Sequence, residues 1–481
     1  MSLFDCSTLE YMKHTYFFIF FIFLFLLQNC SVQNNNDHFI GFWEGPHPED
    51  VNKKFYIQIK YTPDSVKAIG FWTNHRFYDS KFAIDSLYLN SDSLRFYIPA
   101  WNCFYSGRIY DSDIINGGFS CTNEPFDTIY LIKNNEAATY LTEAKPNSNN
   151  IRYRYQYQEP VFYDKEIPTA HFQTKGDSLF IYSLIPEIIS NQYGRINSFL
   201  LMKNDILICE EYFYGYARND LHQIESATKS ITSLLVGIAK DKGMLTDMNE
   251  PLFKIFPEYD HLQKGDYRKI TLSNILTMTS GFSNEYEPYK EYNRIEFSLK
   301  RKIIAPAGQK FIYDGGNTEI LGAVIKRKTG MYADVFAEKY LFEPLGINKY
   351  DWSIFKQDSF PCMGGSLQMR PIDMIKIGDL VLNKGMYNDH RIISADWIAA
   401  STSVKTNTHI KGDNYGYQWW NIIIVSNQNN YPTIWANGLG SQFIYIIPAL
   451  DVVIVTTGYN YENDSWAITK GIGKYLHLLD H

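Results

Sequence analysis

Hydrophobic and polar residues alternate along the first part of the chain. Between residues 37 and 133, short runs such as FYIQIKY, SLRFYIP and DTIYLI have a two-residue period and are separated by segments rich in Asp, Asn, Ser and Gly. A two-residue period is typical of β-strands with one buried face, and these four residue types favour turns. The pattern therefore predicts an all-β N-terminal domain over residues 37–133.

The alternation ends after residue 133. Residues 134–164 begin with the polar stretch NNEAATYLTEAKPNSNN, which has no sustained period, and we interpret them as a linker. From residue 165 to residue 481 helical and strand patterns are mixed, and this part of the chain is predicted to be a second domain.

Strands are predicted at both ends of this second domain. Near its start, Phe199–Met202 and Ile206–Cys209 are predicted to form a hairpin, and helical patterns follow. Near its end, three more strands and a last helix are predicted: Tyr417–Val425, Phe443–Ile447, Val452–Thr456 and about Ser465–Leu479. These strands can form one antiparallel sheet only if the chain folds back on itself and the helices cover the sheet. The predicted fold class is therefore α+β.

The clearest chemical signal is Ser226-Ala227-Thr228-Lys229 at the start of a predicted amphipathic helix. Apolar residues follow with helical spacing, and Gly243 is well placed to end the helix. Ser226 and Lys229 would lie one turn apart, with Cβ atoms ~5–6 Å apart. An amine at that distance can take the proton from a serine hydroxyl, which is otherwise a poor nucleophile. The amine must be neutral for this, and burial or a neighbouring cation favours the neutral form of a lysine.

Ser226 has an alternative interpretation as the N-cap of that helix. The spacing is also not unique, because Ser353 and Lys356 repeat it in a polar stretch without a following amphipathic helix. His222, four residues before Ser226, is predicted to be structural, since a serine–lysine mechanism needs no histidine.

Residues 1–30 are predicted to be a signal-peptide segment of the lipoprotein type, in which we expect the signal itself to begin at Met12. Tyr16–Leu27 is wholly apolar but too short to span a bilayer, and it fits the hydrophobic region of a secretory signal. The run ends in Leu-Gln-Asn-Cys, which resembles a bacterial lipobox, so we expect Cys30 to be lipidated. Ordinary cleavage to a soluble periplasmic protein is the alternative. After residue 30 no segment approaches the ~20 apolar residues of a membrane span.

The charge balance and the cysteine spacing exclude two further classes of function. The chain has 45 Lys and Arg against 52 Asp and Glu, a formal charge of −7, which argues against a nucleic-acid-binding protein. In an oxidising compartment Cys103 and Cys121 either pair or stay as two thiols. Cys209 and Cys362 are predicted to be small core residues, and none of the cysteines has metal-ligand spacing. We therefore expect no metal.

Four stretches occur in the order ESATKSITSLLVGIAKDKGML, ITLSNILTMTSGF, PAGQKFIYDGGNTEILGAVIKRKTG and WANGLGSQFIYIIPALDVVIV. Together they resemble the serine β-lactamase-related hydrolases: class C β-lactamases, DD-peptidases, and their esterase and nylon-oligomer-hydrolase relatives. The resemblance covers roughly residues 185–481. It implies a β-lactamase/transpeptidase-like domain with an antiparallel sheet flanked by helices.

By this resemblance, Ser226 is the acylated nucleophile, Lys229 its proton partner and Tyr313 the tyrosine that assists proton transfer. The family's usual Y-x-N is absent at Tyr313. The chain instead has Y-D-G-G-N, which resembles the esterase and amidase branch. Asn317 of this stretch either binds substrate or caps the following helix, and Asp314 either biases a neighbouring cation or is a turn residue. A literal Y-x-N at Tyr461 is predicted to be unrelated, because it follows the last strand.

The family's third motif, Lys/His-Ser/Thr-Gly, aligns with Ala436-Asn437-Gly438. Its basic residue is missing, and in β-lactamases and DD-peptidases that cation helps to bind the substrate carboxylate. Gly438 is retained and allows a substrate to approach closely. The resemblance further implies that the N–H groups of Ser226 and Leu439 form an oxyanion hole.

We therefore predict an exported serine hydrolase that cleaves a small ester or amide through an acyl-enzyme on Ser226. Neither a metal nor an organic cofactor is implied, and the only predicted membrane contact is the lipid anchor at Cys30. The alternatives are a β-lactamase or DD-peptidase, which the missing cation disfavours, and a non-catalytic surface-binding lipoprotein.

Overall fold

A computed structural model describes the following residues: 37–46, 54–62, 65–74, 77–99, 102–121, 127–134, 156–163, 166–214, 216–262, 265–284, 293–355, 358–410, 412–461 and 464–480. The predicted signal peptide with Cys30, most of the predicted linker, and Lys356 lie outside them. The described helices include none that is long and apolar enough to cross a membrane. The chain divides into two compact units, Met1–Pro48 with Lys53–Leu141 and Glu49–Asn52 with Thr142–His481.

The N-terminal unit is an antiparallel sheet, as its alternating pattern predicts. Its described strands are β1 (Gly41–Pro46), β2 (Lys54–Tyr61), β3 (Val66–Asn74), β4 (Phe77–Ala83), β5 (Asp85–Leu89), β6 (Ser93–Ile98), β7 (Cys103–Asp111), β8 (Ile114–Cys121) and β9 (Asp127–Lys133). They are arranged in the order β4-β3-β2-β1-β9-β8-β7-β6-β5. One face of this sheet forms the core, in which the rings of Phe96 and Tyr105 stack 4.9 Å apart.

A disulfide joins two strands of this unit. Cys103 of β7 and Cys121 of β8 lie directly opposite each other, with Cα atoms 4.2 Å apart, and their sulfur atoms are bonded. Of the two alternatives that the sequence leaves open, the structure therefore has the bonded pair.

The second unit contains an antiparallel sheet built from both ends of the unit. Its described strands are β10 (Ile196–Lys203), β11 (Ile206–Tyr212), β17 (Thr406–Asn407), β18 (Asn414–Tyr415), β19 (Trp420–Ser426), β20 (Asn429–Gly438), β21 (Gln442–Ile447) and β22 (Val452–Gly458), arranged as β11-β10-β22-β21-β20-β19-β18-β17. The predicted return of the chain is confirmed by the pairing of β10 with β22. The hydrophobic pattern missed β20, because its first residues, NNYPT, are mostly polar.

Ten α-helices are described in this unit. They are α1 (Lys175–Ile189), α2 (Thr228–Asp241), α3 (Leu252–Ile255), α4 (Leu272–Leu276), α5 (Arg294–Lys300), α6 (Gly315–Thr329), α7 (Ala333–Ala337), α8 (Pro371–Leu382), α9 (Ala395–Thr402) and α10 (Ala467–Tyr475). Short strands lie between them: β12 (His222–Gln223), β13 (Tyr350–Trp352), β14 (Leu367–Met369), β15 (Met386–Tyr387) and β16 (His390–Arg391). The last helix, α10, is shorter than the predicted helix at about Ser465–Leu479, and a 3₁₀ turn, Leu476–Asp480, follows it.

Helices cover both faces of the sheet in the second unit. Residues of α2, α6 and α8 form one apolar cluster, and residues of α1 and α10 form another on the opposite face. The approach is close, since a Cβ atom on Gly378 of α8 would lie 2.4 Å from Val453 of β22. An α+β fold with an antiparallel sheet between helices, preceded by an all-β region, is therefore confirmed.

Candidate active site

Ser226 and Lys229 lie together at the start of α2. Ser226 is half-buried in a 3₁₀ turn, Glu225–Ala227, which leads directly into the helix, and Lys229 is 4% exposed. The Lys229 Nζ donates to Ser226 Oγ over 2.8 Å. Neither the turn nor α2 is capped by the Ser226 side chain, so the N-cap interpretation of Ser226 is wrong. Gly243 follows α2 with a φ of +70°, as expected of the residue that ends a helix.

The Lys229 amine also donates to a second acceptor, the backbone carbonyl of Gly364, over 2.5 Å. Gly364 belongs to a turn between β13 and β14, and the next residue, Gly365, accepts a 3.4 Å bond from the Gln223 side chain. Two adjacent glycines in a sequence favour a tight turn. Nothing in the Gly-Gly pattern indicates that this carbonyl meets a lysine 135 residues earlier in the chain.

Tyr313 lies close to the same amine. The Lys229 Nζ is 5.1 Å from the centroid of the half-buried Tyr313 ring. Trp420 and Tyr415 pack against that ring, with centroids 5.4 Å and 6.3 Å away. Tyr415 is fully buried, so these aromatic residues support Tyr313 from within the core.

Asp314 and Asn317 have structural contacts. Asp314 is the N-cap of α6, and its carboxylate accepts from the backbone N–H groups of Gly316 and Asn317. The same carboxylate pairs with Arg301 at 2.5 Å, and this is the neighbouring cation that it faces. Asn317 is 1% exposed, and its side-chain oxygen accepts a 3.0 Å bond from Ser280. Asp314, and not Asn317, therefore caps the helix.

The end of β20 packs against the turn that carries Ser226. A Cβ atom on Gly438 would lie 2.2 Å from the carbonyl oxygen of Ile224, so the missing side chain makes room for the protein's own backbone. This is a different reason for the glycine from the substrate approach that the sequence suggested. Leu439 is the next residue and is 55% exposed, whereas Ala436 is fully buried and contributes no charge.

Tyr461 also lies close to the nucleophile. Its hydroxyl donates a 3.1 Å bond to the carboxylate of Glu225, which directly precedes Ser226 and has a φ of +50°. Its ring covers Gly440, near the end of β20. The position after the last strand gave no indication of this contact, which forms because β22 runs back alongside β21. The remainder of its Y-x-N motif lies outside the described residues.

The titratable groups around the turn are deeply buried. Burial lowers the pKa of His222 to about 3, so this residue is uncharged, and its ring lies 4.5 Å from that of Tyr216. Burial also raises the pKa of the Cys362 thiol to about 12. Across the described residues, no group of three or more His, Cys, Asp or Glu side chains is arranged to hold a metal ion.

The chain is similar in sequence to known proteins. The family model described as Beta-lactamase matches residues 202–463. The 6-aminohexanoate-dimer hydrolase of Paenarthrobacter ureafaciens is 23% identical over 288 residues, which cover 54% of this chain and 71% of that protein.

Two solved structures have a similar fold. A Bacillus anthracis protein described as a 6-aminohexanoate-dimer hydrolase has a TM-score of 0.55 at 19% identity, covering 70% of this chain and 95% of that one. EstCE1, a hydrolase with promiscuous acyltransferase activity, has a TM-score of 0.52 at 12% identity, covering 64% and 99%. At these identities the structures show the fold alone.

The matched family segment begins within β10 and includes Ser226, Lys229, Tyr313 and Gly438. It spans more than half of the 481 residues. The resemblance predicted from the four ordered stretches is thus confirmed. The chain belongs to the beta-lactamase family.

Proposed function

We propose that this protein is a serine hydrolase that cleaves a small ester or amide through an acyl-enzyme on Ser226. The observation that carries the proposal is the 2.8 Å contact between the Lys229 Nζ and Ser226 Oγ at the start of α2. An adjacent amine is one of the ways in which a serine hydroxyl becomes a nucleophile. The hydrolases among the relatives support the same reaction class.

In the proposed reaction, neutral Lys229 takes the proton of Ser226 while Oγ attacks the substrate carbonyl carbon. The tetrahedral intermediate then collapses, the bond to the leaving alcohol or amine breaks, and the leaving group receives a proton by way of Tyr313. Water attacks the carbonyl carbon of the resulting ester and gives one proton to the same groups. The bond between that carbon and Ser226 Oγ then breaks, Oγ receives the proton back from Lys229, and the acid leaves.

The backbone N–H groups of Ser226 and Leu439 are proposed to bind the developing oxyanion. Support comes from the position of Ser226 in the first turn of a helical segment, where N–H groups have no partner within the helix. Gly438 packs closely against Ile224 of that turn, and Leu439 directly follows Gly438 in the chain. One such donor can contribute ~2.7–4 kcal/mol to the transition state.

The substrate is proposed to need no carboxylate. Ala436 occupies the position at which β-lactamase-related enzymes of the peptidase and β-lactamase type have a basic residue, and its buried methyl group cannot bind an anion. This favours a simple ester or amide over a β-lactam or a peptidoglycan peptide.

Export and lipid anchoring at Cys30 are part of the proposal. The Cys103–Cys121 disulfide supports them, because disulfides persist mainly in oxidising compartments. A Cys30→Ala variant is expected to leave the membrane fraction and appear in the soluble exported fraction. Wild-type protein that is found entirely in the cytosol would contradict this part of the proposal.

The enzymatic proposal is tested by the intact-protein mass after treatment with a fluorophosphonate probe. Wild-type protein is expected to gain a single adduct, Ser226→Ala none, and Lys229→Ala the same adduct much more slowly. Ser353→Ala is the matched control, since Ser353 begins the second S-x-x-K stretch, and it is expected to react like the wild type. A folded wild type without an adduct would instead favour a non-catalytic binding protein.

A further inference from the structure

A buried carboxylate holds the turn that directs Lys229. The backbone N–H of Gly364 donates to Oε1 of Glu319 over 3.1 Å, and the carbonyl of the same Gly364 accepts from Lys229 over 2.5 Å. A chain of hydrogen bonds therefore runs from Glu319 through one residue of backbone to Lys229, and from Lys229 to Ser226 over 2.8 Å.

The turn needs such an attachment, because it consists of two consecutive glycines. Glycine has more accessible backbone conformations than any other residue, so the direction of the Gly364 carbonyl is poorly fixed by the local sequence. Glu319 holds Gly364 on one side, and the side chain of Gln223 bonds to Gly365 at 3.4 Å on the other. A rotation of either peptide would turn the carbonyl away from the lysine amine.

Among the described residues, only one oxygen of this carboxylate, Oε2, takes part in an ion pair within the fold. Glu319 is 2% exposed within α6, between Thr318 and Ile320, and a charge buried there is costly unless it is paired. Burial raises its pKa, whereas Arg294, 3.3 Å away, opposes that shift. Arg294 is itself held by two 2.9 Å bonds to Asp358. The N-terminus of α6 is already capped by Asp314, so Glu319 has no capping role.

Helix α6 connects Glu319 to Tyr313. Tyr313 lies immediately before the Asp314 cap of α6, and Glu319 follows in the second turn of the helix. One rigid element thus carries the tyrosine and the carboxylate that positions the partner of the lysine. Gly322, one turn later, packs against Met363, which directly precedes Gly364.

We propose that Glu319 is a positioning residue for the acylation step, acting through the Gly364 peptide to aim the Lys229 amine at Ser226. The inference rests on the proposed function. Glu319 does not contact the substrate in this scheme. It fixes the carbonyl that accepts one hydrogen of the amine, so that the amine stays directed at the serine hydroxyl.

The test is steady-state hydrolysis of p-nitrophenyl acetate by the full chain and its variants. Glu319→Ala is expected to lower kcat by roughly 10–100-fold, since small errors in the placement of a catalytic group have effects of this size. KM is expected to stay within about twofold, because the substrate contacts are unchanged. Glu319→Gln is expected to restore most of kcat, because its amide oxygen can still accept from the Gly364 N–H.

Two further variants complete the test. Asp373→Asn changes another fully buried carboxylate, which pairs with Arg370 at 2.6 Å and Lys376 at 3.1 Å on α8, and it is expected to lose stability without a change in kcat. Glu319→Asp serves if the alanine variant does not fold. It keeps a charge for Arg294 but withdraws the oxygen from Gly364, and a loss of kcat is expected.

The outcomes separate this inference from the proposed function. If wild-type Ser226 forms no adduct, the proposed function fails. If Ser226 is acylated but a folded Glu319→Ala or Glu319→Asp variant keeps the wild-type kcat, only the positioning role is overturned. A Glu319→Gln variant as impaired as Glu319→Ala would also overturn it, since the effect would then follow the charge and not the acceptor oxygen.

Discussion

The two units differ in the sequence distance between the strands that pair. In the N-terminal unit, pairing joins consecutive strands except where β1 meets β9. In the second unit, β10 pairs with β22, so that Phe199 lies opposite Thr456. The first arrangement builds a sheet mainly from strands that are neighbours in the sequence. The second brings together segments from opposite ends of a unit, and only there do the candidate catalytic groups meet.

Burial differs in the same way. Strand β6 alternates between buried and more exposed residues, whereas all eight residues of β10 are buried. A sheet with one covered face can bind ligands on its open face. In a sheet covered on both sides, catalytic side chains are accessible only where helices and strand ends meet. Ser226 lies at such a junction, between α2 and the end of β20.

The largest expected effect on the reactivity of Ser226 comes from substitution of Lys229, the lysine at this junction. Lys229→Met, which replaces the buried amine by an apolar chain of similar length, is expected to slow formation of the fluorophosphonate adduct by at least about 1,000-fold. The rate constant of adduct formation, followed by intact mass, measures this. A rate within about tenfold of the wild type would remove the lysine from the mechanism.

Gly438→Ala is expected to have the next largest effect. Its methyl group would lie 2.2 Å from the Ile224 carbonyl, so β20 must move away from the turn of Ser226. Adduct formation should slow by roughly 10–100-fold. Gly473→Ala on α10 is the control, since its methyl would lie 3.3 Å from its nearest neighbours, and it should react normally. Equal rates for the two variants would contradict the packing argument.

Removal of the disulfide is expected to affect the stability of the N-terminal unit but not the reactivity of the second unit. Simultaneous Cys103→Ala and Cys121→Ala substitutions are expected to lower the unfolding free energy of the N-terminal unit by about 3 kcal/mol, from the freedom regained by the unfolded chain. Calorimetry of the full chain measures this loss. Adduct formation at Ser226 is expected to be unchanged, and a parallel loss of reactivity would show that the units depend on each other.

The smallest effect is a dependence of stability on pH. Burial, together with nearby Asp205, raises the pKa of Asp379 on α8 to about 7. Because this value lies above that of the unfolded chain, the stability from the protonated form is fully present below about pH 4 and is lost as the pH rises to about 7.

Asp379→Asn is therefore expected to raise the unfolding free energy on the order of 2 kcal/mol at pH 8 and hardly at all at pH 4. Chemical denaturation at both pH values is the measurement. An equal gain at both would indicate a packing effect and not a titration. No such gain is expected from changes in the N-terminal unit.

Local patterns predicted much of this molecule. The alternation in the first unit, the β10–β11 hairpin and the Ser226–Lys229 spacing involve residues close in sequence, whose geometry follows from strand and helix periods. The Gly364 acceptor, the contact of Gly438 with Ile224 and the bond from Tyr461 to Glu225 could not be predicted in this way. Each joins residues more than 100 positions apart, and only the folded sheet determines that they meet.

The serine and its amine partner occupy a single turn of helix, while the groups that orient them come from elsewhere in the unit. In evolutionary terms, the proposed chemistry can therefore be lost while the scaffold is kept. Under the proposed mechanism, one codon change at position 229 ends catalysis and leaves every strand pairing intact, so a lineage can keep the fold as a binding protein. Under the same mechanism the reverse change is equally short, because a scaffold that already holds the Gly364 carbonyl in place needs only a lysine at position 229.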